Sequence, residues 1–102
     1  MEVDREVQWS KFALKKLQQV HKFYLKIADK EIADKIVEEI FNTIKTLSHS
    51  SFIGQQEPVL EKLKKNHRYL LTHHCKIIYK IELNKVYITH VFDTRQNPKK
   101  LK

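Results

Sequence analysis

Residues 30–47 read KEIADKIVEEIFNTIKTL, and this stretch decides the fold. Ile32, Ala33, Ile36, Val37, Ile40, Phe41, Ile44 and Leu47 recur every three or four residues, which makes one stripe of a helix apolar. Asp29 stands at the N-cap position, and Ser48-His49-Ser50-Ser51 ends the run. Upstream, KFALKKLQQVHKFYLKIA (11–28) places Leu14, Leu17, His21, Tyr24 and Ala28 at helical spacing, beside Ala13, Val20 and Ile27, after an N-cap at Ser10. The helices predicted over 10–28 and 30–47 are joined so tightly that they must form an antiparallel hairpin. Before them, Val3, Arg5, Val7 and Trp9 alternate with Asp4, Glu6 and Gln8, the period of a strand over 3–9.

Downstream, Phe52 to Pro58 holds the only glycine and one of the two prolines and reads as a surface loop. Val59, Leu60 and Leu63 suit a short helical turn or a lid. Three strands follow over 68–71, 75–81 and 86–92, with turns at Thr72-His73-His74 and Leu83-Asn84-Lys85. Ile77, Tyr79 and Ile81 share one strand face, opposite Lys76, Ile78 and Lys80. The order β-α-α-β-β-β predicts an α+β fold in which the hairpin packs on one face of a mostly antiparallel four-stranded sheet. The first strand enters beside a later one as a parallel neighbour. The other sheet face is only partly covered and carries cations.

The chain has 102 residues, one cysteine and a formal net charge of +8. That length suits one domain over 1–102, and a single Cys75 excludes an internal disulfide or a cysteine-rich zinc site. No apolar run approaches the roughly 18–20 residues that span a bilayer. The acidic start Met1-Glu2-Val3-Asp4 lacks the basic-then-apolar order of a signal peptide, so a cytoplasmic protein is expected. Residues 1–51 hold nine basic and eight acidic side chains, whereas residues 52–102 hold eleven and four. Such a field favours a polyanion or an acidic protein partner.

Several chemistries are excluded. One glycine cannot build a phosphate-binding glycine loop, and no HExxH, CxxC or serine elbow occurs. Glu57, Glu61, Glu82 and Asp93 are too scattered for a metal-assembling carboxylate set, so no metal and no cofactor is expected. Metal-free RNA cleavage needs less: a base, an acid and fixed cations on the phosphate. Arg68, Lys76 and Arg95 lie on or at the ends of the three late strands and are candidates for the cations. His73, His74, His90 and Tyr79 are weaker candidates for proton transfer. Each has a plain alternative. Arg68 caps a strand edge, Lys76 is an exposed strand lysine, Arg95 is clamped by Asp93, and His73 and His74 are turn residues. His90, alternating with Ile88 and Phe92, sits in a half-buried layer, and Tyr79 packs. His21 reads as core, Cys75 as a small strand hydrophobe, and Trp9 and Tyr24 as anchors.

The chain resembles the ParE/RelE superfamily of toxins from bacterial type II toxin–antitoxin systems. The resemblance rests on Trp9-Ser10 with Ala13 and Leu17, on HRYLLTHHCKIIYKI (67–81), and above all on VYITHVFDTRQNPKKL (86–101). The Phe-Asp-Thr-Arg-Gln-Asn-Pro ending (92–98) marks the ParE-like, plasmid-stabilisation branch. The resemblance implies a growth-arresting toxin neutralised by an acidic antitoxin encoded beside it, in a hetero-oligomer. RelE-like members cleave mRNA on the ribosome, while ParE-like members inhibit DNA gyrase. Arg95 falls where the nucleases keep a phosphate-contacting arginine, and Lys76 where they usually have another. Tyr69 stands near where some carry a catalytic lysine, and no tyrosine or histidine follows Arg95. Three readings stay open: a gyrase inhibitor, a ribosome-dependent mRNA endonuclease, and a non-toxic relative that only binds an antitoxin.

Overall fold

The computed structural model describes residues 4–56, 67–72 and 75–93. Strand β1 (Glu6–Trp9) leads into α1 (Lys11–Ile27) and α2 (Lys30–His49). A 3-10 turn (Ser51–Ile53) and a two-residue strand β2 (Gln55–Gln56) follow, then β3 (Arg68–Leu71), β4 (Cys75–Glu82) and β5 (Lys85–Asp93). The sheet order is β1-β5-β4-β3-β2, with β1 parallel to β5 and every other pairing antiparallel.

Both helices start where the sequence places caps. The Ala13 amide donates to Ser10 Oγ at 2.9 Å, and the Ile32 amide to Asp29 Oδ1 at 2.9 Å. Only Ala28 and Asp29 separate the helices, so they fold back on each other and lie on one face of the sheet. The core joins Ala13, Leu17, Val20 and Tyr24 of α1 to Ala33, Ile36, Ile40, Ile44 and Leu47 of α2. From the sheet come Cys75, Ile77, Tyr79, Val86, Ile88 and Val91. Ile36 is 3% exposed and Ile40 fully buried, as the stripe requires, but its outer members Ile32 and Phe41 are 45% and 41% exposed. Trp9 bridges strand and helix, its ring 5.5 Å from that of Phe41.

Four expectations need correction. In α1 the buried stripe is rotated: Leu14 and Ile27 are 41% and 61% exposed, and Ala28 is exposed too. The cause is tertiary. The Ser10 amide donates to Ile88 O at 2.9 Å and its hydroxyl to Thr89 O at 3.3 Å, which anchors the start of the helix to β5, and Ala13, Leu17, Val20 and Tyr24 pack into the core. His21 is therefore half-exposed rather than core. Its Nε2 lies 2.7 Å from Asp34 Oδ1 across the hairpin.

Second, the described part of the loop predicted over 52–58 is tied down. Ser51 is fully buried, Gly54 is buried, and Gln55 and Gln56 pair with β3 as a fifth strand. Tyr79 makes this happen. Its hydroxyl donates to Ser51 O at 2.7 Å and accepts from the Gly54 amide at 2.9 Å. A Cβ at residue 54 would meet that hydroxyl at 2.4 Å, so the position requires glycine. The turn or lid expected at Val59, Leu60 and Leu63 lies outside the described residues.

Third, β5 carries a bulge. Ile78 pairs with His90 but Tyr79 pairs with Ile88, leaving Thr89 as an extra residue. Val86 and Ile88 face the core; beyond the bulge Val91 and Asp93 do, and His90 and Phe92 turn to the opposite face. His90 is half-buried as expected, but not in the layer of Ile88. Fourth, the β4–β5 connection is a two-residue turn at Leu83-Asn84, because Glu82 pairs with Lys85. Leu83 adopts φ 51°, a left-handed conformation that costs a leucine roughly 1 kcal/mol. No described helix is long and apolar enough to cross a membrane.

Candidate functional site

The sheet face away from the helices is the candidate site. Residues directly opposite in neighbouring strands share a face, so the pairings define what stands there. Leu71, Lys76 and Phe92 form one row, Tyr69, Ile78 and His90 a second, and Lys80 and Tyr87 a third. The bulge at Thr89 creates this surface: without it His90 and Phe92 would fall out of phase with Lys76 and Ile78.

The surface is built from cations on aromatic rings. Lys76 Nζ lies 4.4 Å from the Tyr69 ring centre and Lys80 Nζ 5.7 Å from that of Tyr87. Lys80 also pairs with Glu82 Oε1 at 2.9 Å. Such contacts hold the ammonium groups above the sheet while leaving them wet. His90 stacks on Phe92, with centroids 5.8 Å apart and planes at 16°, and makes a T-shaped contact with Phe12, centroids 5.3 Å apart and planes at 72°. Its Nδ1 is hydrogen-bonded to Thr89 Oγ1 at 2.9 Å. Phe12 reaches His90 because β1 stops at Trp9, so the first turn of α1 covers the end of β5. Ile78, between Tyr69 and His90, is only 5% exposed despite lying outside the main core.

The candidate residues separate. Lys76 and His90 share the open face. Arg68 does not: it pairs with the core residue Tyr79, and its Nη1 donates to Gly54 O at 2.8 Å. Tyr79 is fully buried with its hydroxyl bonded to two backbone groups. Arg95, His73 and His74 lie outside the described residues. Asp93 is buried at the end of β5, 6% exposed. The sequence reading missed Tyr69, Tyr87, Phe92 and Phe12 as parts of one surface. Alternation marks Tyr69 and Tyr87, but Phe92 and Phe12 need the bulge and the end of β1, which no local pattern announces.

A second concave feature of about 550 Å³ lies between β1 and α2. Its lining combines apolar Val7, Trp9, Phe41 and Ile44 with the polar side chains of Arg5, Glu6, Lys45 and His49. Phe41 is 41% exposed there, part of the apolar stripe left over from the core. Among the described residues no group of three His, Cys, Asp or Glu could hold a metal ion.

Comparison with known proteins bears on the whole arrangement. No curated protein sequence matches the chain. Among solved structures, the one described as "Chromosomal ParDE TA system from P. aeruginosa" superposes with a TM-score of 0.74 at 18% identity. The match covers 87% of this chain and 95% of that one, and shows a shared fold. The family profile described as "ParE toxin of type II toxin-antitoxin system, parDE" matches residues 7–98, which takes in both helices and every described strand except the first residue of β1. The chain belongs to the ParE toxin family of type II toxin–antitoxin systems.

Proposed function

We propose that this protein is a growth-arresting toxin that acts by inhibiting DNA gyrase and is neutralised by a cognate acidic antitoxin in a hetero-oligomer. The observation that carries the gyrase reading is the separation of Arg68 from Lys76. A metal-free nuclease needs its cations converging on one phosphate, and Arg68 is engaged with the Gly54 carbonyl on the other side of the sheet. An inhibitor that works by docking has no such requirement. The alternative, a ribosome-dependent mRNA endonuclease, is favoured by one feature, the company of Lys76, Tyr69 and His90 on the open face.

Under either reading Arg95, just beyond β5, is needed for toxicity, and Arg95→Ala abolishes growth arrest without lowering the melting temperature. The antitoxin covers the cationic open face or the groove between β1 and α2. Its association rate falls as salt is raised, because opposite charge steers the encounter. The deciding experiment uses the purified protein in two assays: supercoiling by gyrase, and mRNA cleavage on translating ribosomes. Inhibited supercoiling with intact mRNA supports the proposal. Cleaved mRNA with unaffected supercoiling replaces it by the alternative. Inactivity in both, with antitoxin still bound, identifies a relative that has lost toxicity.

A further inference from the structure

The N-terminal half is nearly neutral overall, but its charges are segregated between the two helices. Lys11, Lys15, Lys16, Lys22 and Lys26 all belong to α1, which has no Asp or Glu, whereas α2 mixes Lys30, Lys35 and Lys45 with Glu31, Asp34, Glu38 and Glu39. At 3.6 residues per turn, Lys11, Lys15, Lys22 and Lys26 fall within an arc of about 60°. Gln18 and Gln19 lie about 20° beyond either edge of that arc. The row runs opposite Ala13, Leu17, Val20 and Tyr24, which face the core, and all four lysines are exposed. From the first lysine to the last it extends about 22 Å along the helix axis.

None of the four makes an ion pair or hydrogen bond with a described residue. Uncompensated like charges along one helix repel one another, and the helix gains nothing from them in isolation. A row of this kind is complementary to a straight, regularly charged rod. Duplex DNA offers one phosphate per about 1.7 Å of axis, and each ammonium sits on a flexible stem that reaches a phosphate as a point charge.

The geometry points to this row as a sequence-independent site for the phosphate backbone of double-stranded DNA. It lies on a face separate from the open sheet face and does not depend on which target the toxin has. Leu14 and Leu25, each 41% exposed, stand along one edge of the row.

The test is fluorescence anisotropy of a labelled, mixed-sequence duplex of about 20 base pairs against the whole protein, from about 50 to 200 mM salt. Neutralising four phosphates contributes about −3.6 to the slope of log K against log salt. The variant K11Q/K15Q/K22Q/K26Q flattens the slope by that amount, so over this range the wild type loses roughly 100-fold more affinity than the variant. The half-variants K11Q/K15Q and K22Q/K26Q each remove about half of the slope, and keep the test open should the fourfold variant fold poorly. A control with the same charge loss elsewhere, K30Q/K35Q/K45Q/K85Q, changes the slope by less than about 1. The inference is overturned if the control flattens the slope as much as the row variant does, or if the wild type does not bind the duplex. It is also overturned if single-stranded RNA of equal length binds more tightly, or if the row variant keeps duplex binding while losing a polyglutamate peptide.

Discussion

Replacing Tyr79 by phenylalanine isolates the hydrogen-bonding role of one atom. The ring remains, so no cavity opens in a core where Tyr79 is fully buried. What disappears is the hydroxyl that donates to Ser51 O at 2.7 Å and accepts from the Gly54 amide at 2.9 Å. Ser51 is itself fully buried, so water has little access to the carbonyl left behind. An unsatisfied buried backbone group costs about 1–3 kcal/mol. Two such groups, partly relieved by a small shift of the turn, place the loss at about 2–3 kcal/mol. For a domain of this size that lowers the melting temperature by on the order of 10–20 °C. Urea unfolding followed by circular dichroism measures the effect, read from the midpoint at unchanged slope. Tyr87→Phe on the open face is the control and should stay within about 0.5 kcal/mol. A loss below about 0.5 kcal/mol for Tyr79→Phe would refute the reasoning, since the turn from Ser51 to Gly54 would then hold without the hydroxyl.

Three further outcomes follow from the same contacts. Arg68→Ala removes a charged donor from the Gly54 carbonyl and should cost about 1.5–3 kcal/mol in urea unfolding, while Lys76→Ala should leave stability within about 0.5 kcal/mol and weaken antitoxin or target binding instead. Ile40→Ala deletes a fully buried side chain between the helices and sheet, and should cost about 2–5 kcal/mol by the same measurement. Asp34 accepts from Lys30 Nζ and lies against His21, and these contacts, that of Lys30 first, hold its carboxyl below the ordinary value of 3.8. The resulting stabilisation is present above that value and lost as the pH falls through the lower folded one. The stability gap between the wild type and Asp34→Asn should therefore close on acidification, and a gap that persisted at low pH would contradict the assignment.

Much of the architecture was legible because it is written in local periodicity. The stripe from Ile32 to Leu47 marks a helix with one buried side, whose centre runs through Ala33, Ile36, Ile40, Ile44 and Leu47, and the caps at Ser10 and Asp29 act on amides three residues away, within the chain's own reach. The short link at Ala28-Asp29 made the hairpin unavoidable. Alternation along Ile77, Tyr79 and Ile81 assigned the two faces of β4, since a strand has no other way to sort its side chains. The ending from Phe92 to Pro98 pointed to the ParE-like branch, and the profile match over 7–98 agrees.

What stayed hidden depends on contacts between residues distant in sequence. In α1 apolar side chains occur on more than one stripe, and docking on the sheet, where Ser10 bonds to Ile88 and Thr89 and Ala13, Leu17, Val20 and Tyr24 enter the core, decides which of them turns inward. The β2 strand exists because a tyrosine 25 positions away holds the Gly54 amide, an interaction with no local signature. The bulge at Thr89 decides that His90 and Phe92 join Lys76 on the open face, because one extra residue reverses the phase of everything beyond it. The pairing register likewise sends Arg68 to the face opposite Lys76. Residue type and spacing thus determined the elements, the hairpin and the family. Which charged and aromatic groups meet on one surface was decided by register and helix rotation, which are properties of the packed chain and are set only when the strands and helices dock.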